Sequence, residues 1–160
     1  MARKLVSEFI DIKSIDSLPK AERDLVKSAM EAAGKAYAPY SLFKVGASVL
    51  LDNGMVLSGN NRENAAFPSG SCAERTVLSF TGANYPENKI LAMAICALKD
   101  DRVTNEPASP CGNCRQLIAE EEDRTGRPIK IILYGEQHTF IIEGIDALLP
   151  LRFRFDRFSG

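Results

Sequence analysis

The run from Lys89 to Lys99, KILAMAICALK, constrains the fold more than any other segment. Every residue between the two lysines is apolar, which is the pattern of a β-strand buried on both faces. A sheet that is covered on both faces needs helices above and below it, so the run predicts a layered α/β domain. The chain has 160 residues, enough to bury such a core, and we expect one domain over residues 1–160.

Helix and strand patterns alternate on both sides of this run. Residues 17–38 predict a helix with Pro19 at its start, and residues 44–60 predict a hairpin that turns at Asn53-Gly54. Further helices are expected to begin near Cys72 and Cys111. Strands are expected over residues 128–135 and 138–144, and residues 145–150 are expected to form a short helix or turn. The order predicts a three-layer α/β/α fold whose mixed sheet has about five strands.

Charge and hydropathy exclude several classes of protein. The formal net charge is -1 and the pI is near 5.9, which argues against a protein that binds nucleic acid by neutralising many phosphates. No apolar run approaches the roughly 20 residues needed to span a bilayer, and the first residues lack the apolar core of a secretory signal. We therefore expect a cytoplasmic protein with neither a nucleic acid nor a membrane as its partner.

Two of the four cysteines form a Cys-x-x-Cys pair, Cys111 and Cys114. In a chain with no sign of secretion, this spacing indicates metal binding or redox chemistry rather than disulfides. Alone it leaves a structural zinc site, a redox pair and a catalytic metal site all open.

Cys72 supplies a third thiol at the expected start of another helix. The N-terminus of a helix favours thiolate over thiol, and three sulfur ligands suit zinc in tetrahedral geometry. Three protein ligands leave the fourth position for water, as in a catalytic site. Cys96, within the apolar run, and His138, near a strand start, have no motif around them and are interpreted as structural.

Glu74 follows Cys72 by two positions. Both lie at the first turn of the expected helix, so the Glu74 side chain points in a different direction from that of Cys72. There a carboxylate can take a proton from a water held by the metal and deliver it to a substrate. Three thiolates on Zn²⁺ leave a net negative charge, which weakens the metal as a Lewis acid. Arg75 is interpreted as offsetting that charge by donating hydrogen bonds to the sulfurs.

The chain resembles the zinc-dependent cytidine deaminases, and in particular their small, homotetrameric branch, in which the first ligand is a cysteine. The resemblance is carried, in order, by YAPYSLFKVGA, NNRENAAFPSGSCAERT, PCGNCRQ and LLPLRF. It implies a cytidine deaminase-like fold, one Zn²⁺ per subunit, and a hydrolase that deaminates the nucleosides cytidine and 2′-deoxycytidine in pyrimidine salvage.

The resemblance also implies roles for single residues. Cys72, Cys111 and Cys114 match the zinc ligands, and Glu74 matches the residue that moves protons. The positions that match the nucleoside pocket are Asn61 and Glu63 for the ribose hydroxyls, Phe43 on the pyrimidine, Tyr40 and Phe67 in the wall, main-chain groups near Ala65 and Ala73 for the base, and Phe153 from a neighbouring subunit.

Three features depart from that family. The tail RFRFDRFSG lacks the Gly-Pro that often follows the C-terminal aromatic residue, residues 1–15 form an N-terminal extension with no assigned function, and Ser69 and Ser71 stand where larger apolar residues are common. Three alternatives remain at this point: a deaminase of another cytosine compound such as an aminoacyl-nucleoside antibiotic, a deaminase of a polynucleotide base, and a zinc protein without catalytic activity.

Overall fold

The structure, a computed structural model, describes residues 1–155; the last five residues of the divergent tail lie outside it. Within the described residues one mixed sheet has the strand order β1-β7-β6-β4-β2-β3, with β5 paired to β4. The strands are β1 Ile10–Ile12, β2 Phe43–Leu51, β3 Val56–Asn60, β4 Ile90–Lys99, β5 Arg102–Val103, β6 Lys130–Tyr134 and β7 Thr139–Glu143.

All five expected strands are present, and the structure adds β1 and β5 to give a sheet of seven. The estimate of about five was too low because these two strands have three residues and two residues, too few to show an alternating pattern. β1 lies inside the N-terminal extension and pairs antiparallel with β7, with Ile10 opposite Ile141.

Only β4 and β6 run parallel as neighbours, and the other strand pairs are antiparallel. The β2–β3 hairpin was predicted from its turn, and the parallel β4–β6 pair from the helix between them. β3 and β4 are also joined through a helix, but β2 lies between them in the sheet.

Helix α1, Lys20–Gly34, covers one face of the sheet and begins after Pro19 as predicted. Its buried residues Leu25, Val26 and Ala29 pack on residues of β4 that include Ala94 and Cys96. Gly46 of β2 lies directly below this helix, where an added Cβ would overlap backbone atoms of Ala29 and Ala33. Only glycine allows α1 to approach so closely.

Helices α2, Ala73–Asn84, and α3, Gly112–Thr125, cover the opposite face. Val77 of α2 and Ile118 of α3 pack on a core that includes Met93 and Ile95 of β4. Alternate residues of β4 therefore contact opposite helical layers, which confirms the three-layer α/β/α fold and the interpretation of the apolar run. No helix in the described part of the chain is long and apolar enough to cross a bilayer.

Candidate active site

The N-termini of α2 and α3 bring three cysteines together. Cys72 is the residue before α2, Cys111 is the residue before α3, and Cys114 lies in the first turn of α3. Their Sγ atoms all lie within 4.8 Å of one another, and in residues 1–155 no other group of His, Cys, Asp and Glu side chains has this proximity.

The chemistry and spacing of the three thiols fit zinc. Tetrahedral Zn–S bonds of ~2.3 Å place sulfurs roughly 3.8 Å apart, so the three atoms need only a small contraction around an ion. Neither Cys96 nor His138 belongs to the group: Cys96 is buried below α1, and His138 lies 2.8 Å from a carboxylate oxygen of Asp11 in β1. Three protein ligands leave one tetrahedral position for a non-protein group.

Burial alone would raise the pKa of Cys111. Hydrogen bonds from the backbone N–H groups of Cys114 and Asn113, together with the neighbouring thiols, outweigh burial and lower that pKa. These N–H groups are exposed by the start of α3, where a helix offers unpaired donors and partial positive charge. The local fold therefore favours the thiolate form at Cys111, whereas burial raises the pKa of Cys72 and of Cys114.

Glu74 lies in the first turn of α2 and is only 5% exposed. Burial raises the pKa of its carboxyl group, and hydrogen bonds from its own N–H and from the Cys114 thiol offset this only in part. A raised pKa makes a carboxyl group a better proton acceptor than an ordinary carboxylate, which favours general acid and base catalysis. The structure thus places a buried carboxyl group beside the cysteines, and its role in proton transfer stays a prediction.

A cavity of about 570 Å³ opens beside Cys72, within the size range of small-molecule sites. Five of its lining residues were predicted from the sequence: Tyr40, Asn61, Glu63, Phe67 and Cys72. The rings of Tyr40 and Phe67 meet edge to face, with centroids 6.0 Å apart. The lining residues that the sequence did not suggest are Ser41, Arg62, Asn64, Gly70 and Ser71.

Backbone hydrogen bonds fix the position of Asn61 and Glu63. The Asn61 Oδ1 accepts the Val45 N–H at 2.8 Å, and its Nδ2 donates to the Phe43 carbonyl at 2.9 Å. The Glu63 Oε2 accepts the Tyr40 N–H at 2.8 Å. The side chains of an amide and a carboxylate are thereby held at the cavity wall.

A strip of backbone hydrogen bonds ties this segment to the cysteine group. The Arg62 N–H donates to the Ser71 carbonyl at 2.9 Å, and the Ser71 N–H donates back at 3.0 Å. On the other side, the Glu63 N–H donates to the Tyr37 carbonyl at 2.8 Å. Because Ser71 precedes Cys72, these hydrogen bonds place the cavity wall next to the first cysteine. We call the hydrogen-bonded residues, which are Tyr37, Asn61 to Glu63 and Ser71, the Tyr37–Ser71 strip.

The remaining predicted residues have mixed positions. Phe43 is half-buried at the start of β2, Ala73 is buried at the start of α2, and Ala65 is exposed. Arg75 is exposed, and in the described residues it makes no hydrogen bond with a cysteine sulfur, so its role in balancing charge stays a prediction. Phe153 does not line the cavity, and its role toward a neighbouring subunit stays a prediction as well.

One positioning residue was not foreseen. The Arg115 Nε donates to the Pro110 carbonyl at 2.8 Å, and its Nη1 donates to the Leu148 carbonyl at 2.6 Å. It therefore ties the loop that enters the cysteine pair to the segment near the C-terminus. Its place directly after Cys114 was the only available signal, because Leu148 is 33 residues away in the chain.

Residues 19–125, which include all three cysteines and Glu74, match the family model described as the cytidine and deoxycytidylate deaminase zinc-binding region. The chain belongs to this deaminase family. Its cofactor is zinc, which the three cysteines are placed to bind. As a family member, the chain is an enzyme of the deaminase class.

Individual relatives in the deaminase family agree with this assignment. A cytidine deaminase of Halalkalibacterium halodurans is 44% identical over 96 residues, which are 60% of this chain and 68% of that protein. A cytidine deaminase of Mycobacterium tuberculosis is 37% identical over 107 residues, 64% of this chain and 74% of that protein. The match spans about two thirds to three quarters of these two relatives.

Solved structures of family members share the fold. The crystal structure of a cytidine deaminase from Burkholderia pseudomallei superposes with a TM-score of 0.68 at 34% identity, covering 82% of this chain and 98% of that one. A cytidine deaminase structure from Mycobacterium tuberculosis gives a TM-score of 0.64 at 30% identity, covering 84% and 98%.

Proposed function

We propose that the protein hydrolyses cytidine and 2′-deoxycytidine to uridine and 2′-deoxyuridine plus ammonia, as a cytoplasmic enzyme of pyrimidine salvage. The observation that carries the proposal is the buried Glu74, two residues after Cys72 in the group of three cysteines, together with a cavity that Cys72 lines with Asn61 and Glu63. The relatives named cytidine deaminase support the same activity.

Glu74 moves the protons of the reaction. Zinc, when held by the three sulfurs, supplies a Lewis acid that makes a water molecule reactive at neutral pH. The Glu74 carboxylate takes the proton of the attacking water and delivers it to N3 of the pyrimidine as C4 is attacked. It then takes the proton of the hydroxyl group now on C4 and transfers it to the amino group, which leaves as ammonia while C4 becomes a carbonyl. A carboxyl pKa raised by burial suits a group that must both accept and donate.

The cavity wall binds the nucleoside. Asn61 and Glu63 are assigned to the ribose hydroxyls, because an amide and a carboxylate supply both donors and acceptors to a diol. Phe43 is assigned to the face of the base, Tyr40 and Phe67 to the wall beside it, and the main chain near Ala65 and Ala73 to its polar edge. The anionic Glu63 and the net charge of -1 disfavour a polynucleotide with its string of phosphates.

The proposed assembly is a homotetramer in which Phe153 of one subunit completes the pocket of another. The exposed position of Phe153, 61% accessible in the single chain, agrees with such a contact. Sedimentation of the active protein tests the assembly, and a stable active monomer would contradict it.

The central test is turnover of both nucleosides by wild-type protein and by Glu74→Gln. The variant keeps the size of the side chain but cannot carry the proton, so we expect its rate to fall by at least about 10²-fold. Glu120→Gln, an exposed change on α3, is the matched control and should leave the rate unchanged. Zinc content is measured for each protein.

Three results have distinct meanings. Loss of activity with zinc retained supports the role of Glu74 in proton transfer. A wild-type protein that turns over neither nucleoside would overturn the proposed substrates. A fully active Glu74→Gln would overturn the mechanism.

A further inference from the structure

The C-terminal segment 151–155 buries its charged side chains and exposes its apolar ones. Leu151, Phe153 and Phe155 are 82%, 61% and 75% exposed, whereas Arg152 between them is only 7% exposed. Arginine is among the residues least often buried, and a buried arginine needs partners for its charge and donors. The direction of this segment is therefore set by what Arg152 contacts.

Arg152 contacts α3 and the turn that precedes the segment. Its Nη1 donates to the Ala119 carbonyl at 2.8 Å, and its Nη2 lies 3.0 Å from the Asp123 Oδ1. Its Nε lies 2.8 Å from the Asp146 Oδ1. One planar guanidinium thus joins two turns of α3 to the short 3-10 helix at Ile145–Ala147, a geometry that suits arginine and not lysine.

The carboxylates around Arg152 are themselves part of the fold. Glu122 is buried, and its Oε1 accepts the N–H groups of both Ile129 and Ile145 at 2.9 Å, while its Oε2 lies 3.7 Å from Arg152. Arg154 reaches the same cluster at longer range, 3.4 Å from Asp123. Arg152 is therefore the main positive charge in a cluster of three carboxylates.

The same helix holds the segment at its other end. The Gln116 Nε2 donates to the Phe153 carbonyl at 3.3 Å, and Gln116 lies in α3 two residues after Cys114. Since α3 contains Cys114 and begins directly after Cys111, the segment and two of the three metal-binding thiols are held by the same helix.

We propose that Arg152 is a positioning residue that holds the segment around Phe153 on α3, and so fixes where Phe153 is presented to the nucleoside pocket of a second copy of this chain. The proposal rests on the proposed function, in which Phe153 completes that pocket. It adds the means by which a tail lacking Gly-Pro keeps its aromatic residue in place: the buried guanidinium of Arg152 pairs with Asp123 and Asp146.

Two measurements test the proposal, on the full-length zinc-loaded protein. The first is hydrogen–deuterium exchange of peptides that cover residues 148–155, which does not depend on activity. The second is kcat and KM for cytidine, measured for Arg152→Gln, Phe153→Ala and the double variant. Arg102→Gln, which removes one exposed positive charge on β5, is the matched control.

We expect Arg152→Gln to exchange faster in this segment and to raise KM by about five- to tenfold, with kcat changed less than about twofold. The double variant should then have the same KM as Phe153→Ala. Arg152 is proposed to affect KM only through the position of the Phe153 ring, and that ring is already absent in Phe153→Ala. Zinc content should be unchanged, and Arg102→Gln should resemble the wild type. A residue that only stabilised the fold would not give this split between KM and kcat.

Two results would overturn the proposal: unchanged exchange in Arg152→Gln, or a double variant whose KM rises by the product of the single effects. If Arg152→Gln fails to fold, Arg152→Lys is tested instead. Lysine keeps the positive charge but lacks the planar guanidinium with its several N–H donors. The proposal then requires the same changes in exchange and in KM from Arg152→Lys. Wild-type protein that does not turn over cytidine contradicts the proposed function alone, because the exchange measurement still decides whether Arg152 holds the segment.

Discussion

The Asn61 side chain holds the start of β2 by accepting the Val45 N–H at 2.8 Å, and the same amide donates to the Phe43 carbonyl. A side chain assigned to substrate is therefore also a part of the sheet edge. Its two polar groups substitute for a neighbouring strand at a point where β3 has already ended. A substitution of Asn61 should therefore change both the stability of the sheet edge and the binding of substrate.

Replacing Asn61 by Ala should therefore affect stability as well as binding. It leaves one N–H and one C=O of β2 without their partner, so we expect the free energy of unfolding to fall by about 1–3 kcal/mol. The KM for cytidine should rise in the same variant. Urea unfolding and steady-state kinetics measure the two effects.

The control for this change is Asn84→Ala, which removes an exposed amide that contacts only the Phe80 carbonyl at the end of α2. It should alter stability by less than about 0.5 kcal/mol. Equal effects of the two substitutions would mean that the hydrogen bonds of Asn61 contribute nothing specific.

Removal of zinc should change which thiols react. Cys72 and Cys111 are exposed, whereas Cys114 and Cys96 are buried, and burial raises the pKa of the Cys96 thiol to about 12. After chelation we expect the two exposed thiols to react rapidly with a thiol reagent and the two buried thiols to react slowly, because the reagent must reach the sulfur. Of the exposed pair, Cys111 should react faster, since hydrogen bonds lower its pKa while burial raises the pKa of Cys72. Restoring zinc should protect the two fast thiols.

Two variants assign the thiols. Cys96→Ala should keep two fast thiols, and Cys72→Ala should keep one. Rapid reaction of two thiols in the zinc-loaded protein would contradict metal binding by Cys72 and Cys111.

The contact between Gly46 and α1 predicts opposite effects for two glycine substitutions. Gly46→Ala places a methyl group against backbone atoms of Ala29 and Ala33, so we expect a loss of at least about 1–3 kcal/mol or no folded protein. Gly82→Ala lies in α2 with open space around it, and should raise stability by about 0.5–1 kcal/mol. Thermal unfolding compares them, and a Gly46→Ala protein as stable as the wild type would disprove the contact.

Glu63 should make stability depend on pH. Hydrogen bonds, first with Ser41 and then with the Tyr40 N–H, hold the pKa of its carboxyl group below the ordinary value of 4.5. A carboxyl with a lowered pKa stabilises the fold above the unfolded pKa, and that stabilisation is lost as the pH falls through the folded value. The stability difference between wild type and Glu63→Gln should be constant from neutral pH to about 5 and shrink below it.

Urea unfolding across this pH range measures the difference. Glu31→Gln, on the exposed face of α1, controls for the general effect of removing a carboxylate. A difference between wild type and Glu63→Gln that grows as the pH falls would have the wrong sign and would contradict the hydrogen-bond argument.

The sequence predicted features whose signal is local. The apolar run at β4 indicated burial on both faces, Asn53-Gly54 indicated the hairpin, and the cysteines appeared where helices begin. Their convergence followed once the resemblance to deaminases supplied the arrangement of the two helices. The clustering of Cys72, Cys111 and Cys114 and the three-layer fold were therefore within reach of sequence alone.

Other features depend on partners that are distant in the chain. β1 becomes a strand only because β7 is beside it, and three residues show no pattern by themselves. From the sequence, the arginines and aromatic residues after Leu151 have the pattern of an exposed segment. In the structure, Arg152 pairs with Asp123 and Asp146, which are distant in the chain. A buried ion pair leaves no trace in a single sequence, since each of its members resembles an ordinary surface residue.

The Tyr37–Ser71 strip leaves no hinge between the segment assigned to the sugar and the first cysteine. Each residue from Asn61 to Glu63 is hydrogen-bonded through its backbone to Tyr37 or to Ser71, so this wall cannot swing independently of α2. Such a site is preorganised: the conformational entropy of assembling it is lost during folding, before any ligand arrives. Ligands that fit should bind with little backbone rearrangement, and selectivity should come from shape rather than from closure.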